Sequence, residues 1–271
     1  MVRAMADLVD PSRLALVRAR ARDDAMFLQQ EAADEVKDRL EMVNRTFTRP
    51  AVVTGFPHVW RSVFPQAVIV PDDEVLALEP GAHDLVIHGL SLHWANDPVT
   101  QLFQCGKALA PDGLFIGVTY AGQTLSELRA VLGETEIETR GGLSPRVLPM
   151  AEIRDLGHIL QMAGLALPVA DAAVRTVTYA DAYALMRDLR AMGEGNALRA
   201  RAGPGTRAYF DRAAARYAEA YGQDGRIPAT FEMVFLTGWA PHESQQKPLK
   251  PGSAAARLAD ALGAAQSKLP D

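Results

Sequence analysis

Residues 84–120 read DLVIHGLSLHWANDPVTQLFQCGKALAPDGLFIGVTY, and this stretch decides the fold class. Its first five residues have an apolar centre without alternation, which is typical of a parallel strand covered on both faces. Asn96 and Asp97 are suited to cap a helix, and Pro98 takes the first helical position. The turn at 111–113 then leads into a second strand at 114–120. Strand, helix, turn and strand at this spacing predict one crossover unit of an α/β sheet.

Shorter strands flank this unit on both sides. The apolar runs that we interpret as strands are 51–55, 67–70, 174–179 and 231–239. The last two are separated by two predicted helices, which makes them a late strand pair at the end of the chain. A late pair predicts an antiparallel edge on an otherwise parallel sheet. We therefore expect a doubly wound α/β sheet with an antiparallel C-terminal edge.

The chain divides into three parts by this pattern. Residues 1–49 form an N-terminal helical segment, within which 11–45 are predicted to be one amphipathic helix. Residues 50–240 form the α/β domain, with 180–222 as a helical insertion or cap. Residues 241–271 form a polar, proline-bearing and then alanine-rich tail.

Charge argues against nucleic acid as a partner. The chain has 28 basic and 33 acidic side chains and a net charge of −5, and a mildly acidic protein has no general affinity for polyanions. One basic cluster near the N-terminus alternates with acidic residues. Its arginines are Arg13, Arg18, Arg20 and Arg22, and its aspartates are Asp7, Asp10, Asp23 and Asp24. We interpret this cluster as a solvated helix face.

Cysteine content and hydropathy bear on the compartment. Cys105 is the single cysteine, so the chain can form neither an intrachain disulfide nor a cysteine-based zinc site. No apolar run reaches the roughly 18 residues that would span a bilayer, and the N-terminus lacks a secretory pattern. We expect a cytoplasmic protein without a transmembrane segment.

Several motifs resemble a known family. Residues 84–86, 90–97 and 109–115 look like the fourth and fifth strands of a class I S-adenosylmethionine-dependent methyltransferase, a Rossmann-like fold. Further motifs narrow the match. They are GGLSP at 141–145, DLG at 155–157, LMRDL at 185–189, MGEGN at 192–196, PATF at 228–231, GW at 238–239 and HESQ at 242–245. Over about residues 22–262 the chain resembles the complex I assembly arginine hydroxylase family, itself similar to the malonyl-carrier-protein methyltransferase of biotin synthesis.

This resemblance implies an enzyme that modifies a protein side chain, most simply an arginine of a respiratory complex I subunit, by methylation or hydroxylation. The cofactor it implies is S-adenosylmethionine. An alternative is a cofactor-poor pseudo-methyltransferase that kept its substrate face and acts as an assembly chaperone or binding module. Fold similarity alone does not decide between them.

The cofactor motif is degenerate in this chain. The resemblance assigns cofactor contacts to Gly55, Asp72, Asp73, Leu90, Ser91 and Trp94, with Asp72 at the position that contacts the adenine amine. Class I methyltransferases have an acid at the end of the first strand and a glycine-rich turn after it. Here Val53 replaces the acid, and Gly55 is the one glycine that remains.

Too little chain follows Gly55 to form the usual helix, ribose-binding strand and second helix. We therefore expect the ribose-binding strand to be missing and Val68–Val70 to pair directly with strand 84–88, which truncates the N-terminal half of the sheet. Either the N-terminal helix or Trp60, stacking on the adenine, compensates for the lost contacts, or cofactor binding is weak.

Two loops carry residues suited to catalysis. His93 and Trp94 follow a strand at the sheet end where ligands collect, so His93 is a candidate general base, although both rings are also suited to packing. Glu194 and His242 are further candidate catalytic residues. With Asn196 and Glu243 they suit a guanidinium substrate, because carboxylates and amides pair with its planar donors. Caps and turns are the alternative role.

A glycine-rich basic loop is the last candidate. Arg140 and Arg146 flank two glycines, and we expect them to contact substrate as an anion site or lid. A plain surface loop is the alternative. The histidines have no ligand-like spacing, so no metal site is expected.

Overall fold

A computed structural model describes residues 7–200 and 203–245. The chain divides into two compact units, 1–241 and 242–271. The first unit contains every helix and strand named below. Among the described residues, no helix combines the length and the apolar character that crossing a membrane requires.

A six-stranded sheet forms the centre of the first unit. Its strands are β1 (Pro50–Thr54), β2 (Val68–Val70), β3 (His83–Gly89), β4 (Leu109–Tyr120), β5 (Ala166–Tyr179) and β6 (Ile227–Trp239). Their order across the sheet is β2-β1-β3-β4-β6-β5. The first four strands are parallel, and β6 is antiparallel to both β4 and β5. The predicted antiparallel C-terminal edge is confirmed.

Helices cover both faces of the sheet. They are α1 (Pro11–Arg18), α2 (Phe27–Glu41), α3 (Pro57–Val63), α4 (Pro98–Ala108), α5 (Ser126–Arg140), α6 (Ile153–Met162), α7 (Ala182–Ala191) and α8 (Arg207–Tyr221). On β1, Val52 packs into a core shared with α2, α3, α5, α7 and α8. Ala51 and Val53 point the other way, into a core shared with α4 and α6. Two cores on opposite faces confirm the doubly wound fold.

The crossover unit forms largely as its sequence predicts. The Asp97 carboxylate accepts a hydrogen bond from the Thr100 amide at 2.9 Å, and Pro98 begins α4. Strand β4 starts at Leu109, earlier than expected, and runs through the predicted turn. Asp112 has a φ of 61° within it, so the turn persists as a local distortion of the strand.

The N-terminal prediction of one helix over 11–45 is wrong. Helix α1 ends at Arg18, a short 3-10 helix covers Asp23–Ala25, and α2 begins at Phe27. The Arg22 amide donates to the Ala191 carbonyl at 2.8 Å, which fixes the break against the end of α7. Tertiary contact therefore overrides the local helical periodicity.

The predicted pairing of Val68–Val70 with strand 84–88 is also wrong. Strand β2 pairs with β1, and β1 lies between β2 and β3. The seven-residue helix α3 makes this possible, since it spans only about 10 Å and returns the chain beside β1. The sheet thus has six strands within the described residues, and Asp72 follows the strand next to β1.

Candidate functional site

The carboxyl ends of β1 and β3 mark the ligand-binding edge of the sheet. The chain leaves β1 toward β2 on one side and returns through β3 on the other, so the direction of winding reverses between β1 and β3. Open α/β sheets bind ligands in the crevice outside such a switch point. Here Gly55 follows β1 and Gly89 ends β3, and neither has a side chain to block that crevice.

Arg18 fills the space above Gly55. A Cβ added at Gly55 would lie 2.5 Å from Arg18 Nη1. The Arg18 guanidinium donates two hydrogen bonds to the Asp72 carboxylate, at 2.7 and 2.8 Å. The two side chains are only 14% and 9% exposed. This bidentate ion pair joins α1 to the end of β2 across the crevice.

Gln101 fixes the backbone at Asp72 with further hydrogen bonds. The Gln101 side-chain amide donates to the carbonyls of Asp72 and Asp73 at 3.0 Å each, and its oxygen lies 3.1 Å from His88 Nε2. Burial raises the pKa of the Asp72 carboxyl, but the Arg18 guanidinium more than offsets this, so the pKa lies below its usual value. The Asp73 side chain is exposed.

Trp60 fills the space above Gly89. A Cβ there would lie 2.5 Å from the Trp60 ring, which is fully buried and stacks on Phe64. Trp60 Nε1 donates to Gln29 Oε1 at 3.0 Å, and Gln29 Nε2 donates to the Leu90 carbonyl at 3.2 Å. The expectation that Trp60 stacks on an adenine is therefore wrong, because the ring is locked inside the core.

The crevice does not fit S-adenosylmethionine in this conformation. Asp72 is the residue that the resemblance places at the adenine amine, but Arg18 binds both of its carboxylate oxygens. Arg18 and Trp60 together occupy the room above the two glycines. Leu90 is fully buried, and the Ser91 hydroxyl is buried without a hydrogen-bond partner among the described residues. The assignment of Gly55, Asp72 and their neighbours to cofactor contacts stays a prediction.

A separate cavity of about 700 Å³ lies on the side of the sheet edge near β4. Predicted site residues from three distant parts of the chain line it, namely His93, Trp94, Arg146, Glu194 and Asn196. Helix α1 and the end of α7 contribute to its wall. The structure therefore brings together the histidine loop, the 193–196 loop and part of the basic loop.

The inner end of the cavity is a hydrogen-bonded cluster around Glu194. Glu194 Oε2 accepts from Trp94 Nε1 at 2.8 Å and lies 3.2 Å from His93 Nε2. His93 Nδ1 lies 3.5 Å from the Thr119 hydroxyl. Glu194 Oε1 is buried and has no hydrogen-bond partner within the described residues. Buried carboxylate oxygens are nearly always paired, so this one is available for a ligand.

Tyr120 completes this inner wall, although the sequence did not single it out. Its ring lies 4.9 Å from the His93 ring, and it lines the cavity. Burial, reinforced by the negative charge of Glu194, raises the pKa of Tyr120 well above its usual value, so the phenol stays protonated. Its position as the last residue of β4, at the ligand-binding edge, was the signal that could have revealed it.

Asn196 has a structural role in the cavity wall. Its amide nitrogen donates to the Arg146 carbonyl at 3.0 Å, and its oxygen accepts from the Leu198 amide at 2.9 Å. Arg146 in turn pairs with the buried Glu136 at 3.1 Å. The substrate role of both residues stays a prediction, since their polar groups are largely engaged within the protein.

The remaining predicted residues make other contacts. Arg140 donates to the Pro204 carbonyl at 2.9 Å and does not line the cavity. His242 and Glu243 begin the second unit, where the His242 ring and the Ser244 hydroxyl are 2.7 Å apart. Within the described residues, no group of three or more acidic, histidine or cysteine side chains is arranged to hold a metal ion.

The prediction that the N-terminal arginine cluster is a solvated helix face is wrong for Arg18. Of the cluster interpreted as a solvated helix face, Arg18 is largely buried against Asp72, and Arg13 and Arg20 line the cavity. Only Arg22 forms an exposed pair, with Asp24 at 2.5 Å. Local sequence shows charges on α1 but not the sheet edge against which the helix packs.

Sequence comparison shows which known proteins the chain is similar to. No family model matches the chain. It is 39% identical over 221 residues to the protein named "Arginine-hydroxylase NDUFAF5, mitochondrial" of Danio rerio, an alignment that covers 81% of this chain and 69% of that one. It is 35% identical over 187 residues to the malonyl-[acyl-carrier protein] O-methyltransferase of Laribacter hongkongensis, covering 69% and 61%.

Solved structures are more distant. A phosphoethanolamine N-methyltransferase of Haemonchus contortus, in complex with S-adenosylhomocysteine, matches with a TM-score of 0.41 and 11% identity. That alignment covers 77% of this chain and 53% of the other. A likeness at this level carries no argument about function.

Proposed function

Because this chain belongs to the family of the arginine hydroxylase NDUFAF5, we propose that it is an enzyme that modifies an arginine side chain of a protein substrate. The modification that the relatives' name gives is hydroxylation. The protein substrate we propose is a subunit of respiratory complex I, as the motif resemblance implies, and the compartment is the cytoplasm.

One observation carries the proposal, namely the unpaired Glu194 Oε1 in the wall of the large cavity. A carboxylate accepts the paired donors of a guanidinium in a bidentate geometry. Trp94 and His93 hold Glu194 through Oε2, so the other oxygen keeps a defined direction. A guanidinium that donates to Oε1 would satisfy this buried acceptor, which otherwise weakens the folded state.

The surroundings of Glu194 suit an arginine side chain in other ways. Trp94, Tyr120 and Phe231 give the cavity aromatic surface, on which a planar guanidinium stacks favourably. The protonated Tyr120 phenol adds a neutral hydrogen-bonding group beside His93. His93 acts here as a positioning residue for Glu194, and its action as a general base stays a prediction.

Glu194→Gln tests the proposal, because it removes the charge but keeps the shape. Binding of a fluorescent peptide with one central arginine should weaken about tenfold or more, since charged hydrogen bonds contribute about 1.5–3 kcal/mol. A matched peptide with citrulline should bind weakly to both proteins. Equal binding of the arginine and citrulline peptides to the native protein would contradict arginine recognition.

Catalysis needs a separate measurement. In cells that lack the native gene, complex I subunits should carry an arginine with one added oxygen atom after complementation with the native chain, and not with Glu194→Gln. Mass spectrometry of tryptic peptides reads this directly. Circular dichroism and thermal unfolding show whether the variant is folded.

The filled crevice favours a second function, that of a binding module that chaperones assembly without catalysis. Arg18 and Trp60 stand where a nucleoside would bind, so this function needs no S-adenosylmethionine. It predicts arginine-peptide binding as above but no covalent change in any complex I subunit. Restored complex assembly without a modified arginine would support it over the enzyme.

A further inference from the structure

The large cavity is more basic than an arginine-binding site alone requires. Four arginines line it, and Glu194 is its one acidic lining residue among those described. The arginines are Arg13, Arg20, Arg146 and Arg190. A site that takes only a cationic side chain would gain nothing from so many cations, because like charges repel an approaching guanidinium.

The charges are separated along the depth of the cavity. The side chains of His93 and Glu194 are 3% and 9% exposed, so they form the inner end. Arg20 and Arg190 are exposed and form the mouth. The cavity thus has an acidic inner end and a basic mouth.

Within the described residues, one of the four arginines is ion-paired and a second is tied to the backbone by a hydrogen bond to a neutral carbonyl. Arg146 is paired with Glu136, and Arg13 Nε donates to the Asn196 carbonyl at 2.8 Å. Arg20 and Arg190 form no ion pair within the part of the chain that the structure describes. The hydrogen bond from Arg22 to Ala191 holds their two segments side by side.

We infer that Arg20 and Arg190 bind acidic side chains next to the target arginine of the protein substrate. An arginine entering the cavity would reach Glu194, while a flanking aspartate or glutamate stays at the mouth beside the two guanidinium groups. Complementary charges at such a rim select the partner and speed its association. This inference rests on the proposed arginine recognition and extends it to the substrate sequence.

Four labelled peptides of one length test the inference by fluorescence anisotropy. Three have a central arginine between two aspartates, two serines or two lysines, and the fourth has citrulline between two aspartates. The aspartate-flanked arginine peptide should bind about two- to twentyfold more tightly than the serine-flanked one, as two exposed ion pairs allow. Raising the salt concentration to about 0.5 M should remove most of this difference, because it shortens the screening length.

Reversing the rim charges should reverse the preference. The double variant Arg20→Glu with Arg190→Glu should bind the lysine-flanked peptide more tightly than the aspartate-flanked one. The control is Arg61→Glu with Arg154→Glu, which changes the net charge equally at exposed residues outside the cavity. The control should keep the native preference for aspartate.

The outcomes separate this inference from the proposed function. Equal binding of the aspartate- and serine-flanked peptides to the native protein, or an unchanged preference in the rim variant, would overturn the inference while leaving arginine recognition intact. If the citrulline peptide binds as tightly as its arginine counterpart, arginine recognition itself fails. Equal changes in the rim variant and its control would assign the effect to net charge and also overturn the inference.

Discussion

Replacing Arg18 with methionine should destabilise the protein by about 3 kcal/mol, because it leaves the Asp72 carboxylate buried and unpaired. Removing one partner of a buried ion pair costs about 3–5 kcal/mol. The 14% and 9% exposure of the two side chains places this pair at the lower end of that range. Methionine keeps the aliphatic packing of Arg18, so the loss reports on the charge.

A double-mutant cycle isolates the interaction. Asp72→Asn removes the other charge, and the double variant should be less destabilised than the sum of the single ones by at least about 1 kcal/mol. Urea unfolding followed by tryptophan fluorescence gives each free energy of unfolding, with equal slopes confirming comparable unfolding. Arg22→Met, which breaks the exposed pair with Asp24, should cost less than about 1 kcal/mol.

The pH dependence has a defined sign. Asp72 has a lower pKa when folded than the ordinary 3.8, so between these values the unfolded chain binds a proton that the folded chain does not. The stability from this pair is therefore fully present above about pH 4 and is lost as the pH falls through the folded pKa. The native protein and Arg18→Met should converge in stability over that range.

Two results would refute this reasoning. Additive single variants would show that Arg18 and Asp72 do not interact in solution. A stability difference between the native protein and Arg18→Met that does not shrink as the pH falls through the acid range, where Asp72 becomes protonated in the folded protein, would show that the loss is packing and not charge. Additivity would also remove the argument that an ion pair between Arg18 and Asp72 closes the switch-point crevice.

Three further predictions concern the crevice and the buried core. S-adenosylhomocysteine should bind Arg18→Ala more tightly than the native protein in a calorimetric titration, and equal affinity would show that Arg18 does not restrict the crevice. Gly89→Ala should destabilise the protein by about 1–3 kcal/mol in urea unfolding, because its Cβ would overlap the locked Trp60 ring; Gly142→Ala, which meets no atom within 4 Å, is its control. Burial raises the pKa of the Cys105 thiol to about 12, so it should react with Ellman's reagent at pH 8 only after unfolding, and rapid reaction of the folded protein would contradict its burial.

Many residues of the site could be predicted from the sequence, but the hydrogen-bond partners of each residue could not. His93 and Trp94 were identified because they follow a strand, and Glu194 from a second loop that follows a helix, and the three do line one cavity. The hydrogen bonds among them could not be predicted, because His93 and Glu194 are 101 residues apart in sequence. Asn196 and Arg146 were selected by residue type, yet their groups bond mainly to the protein.

The sequence by itself determined the α/β fold class, the central crossover unit and the antiparallel edge, but not the position of β2 in the sheet. Unbroken apolar strands, the Asp97 cap and a late strand pair are local patterns, and local patterns suffice for elements whose pairing follows from their order along the chain. Only the tertiary structure decided what fills the ligand-binding edge. Arg18 reaches Asp72 because α1 folds back over the sheet, and such a contact between residues 54 positions apart leaves no periodic trace in the sequence.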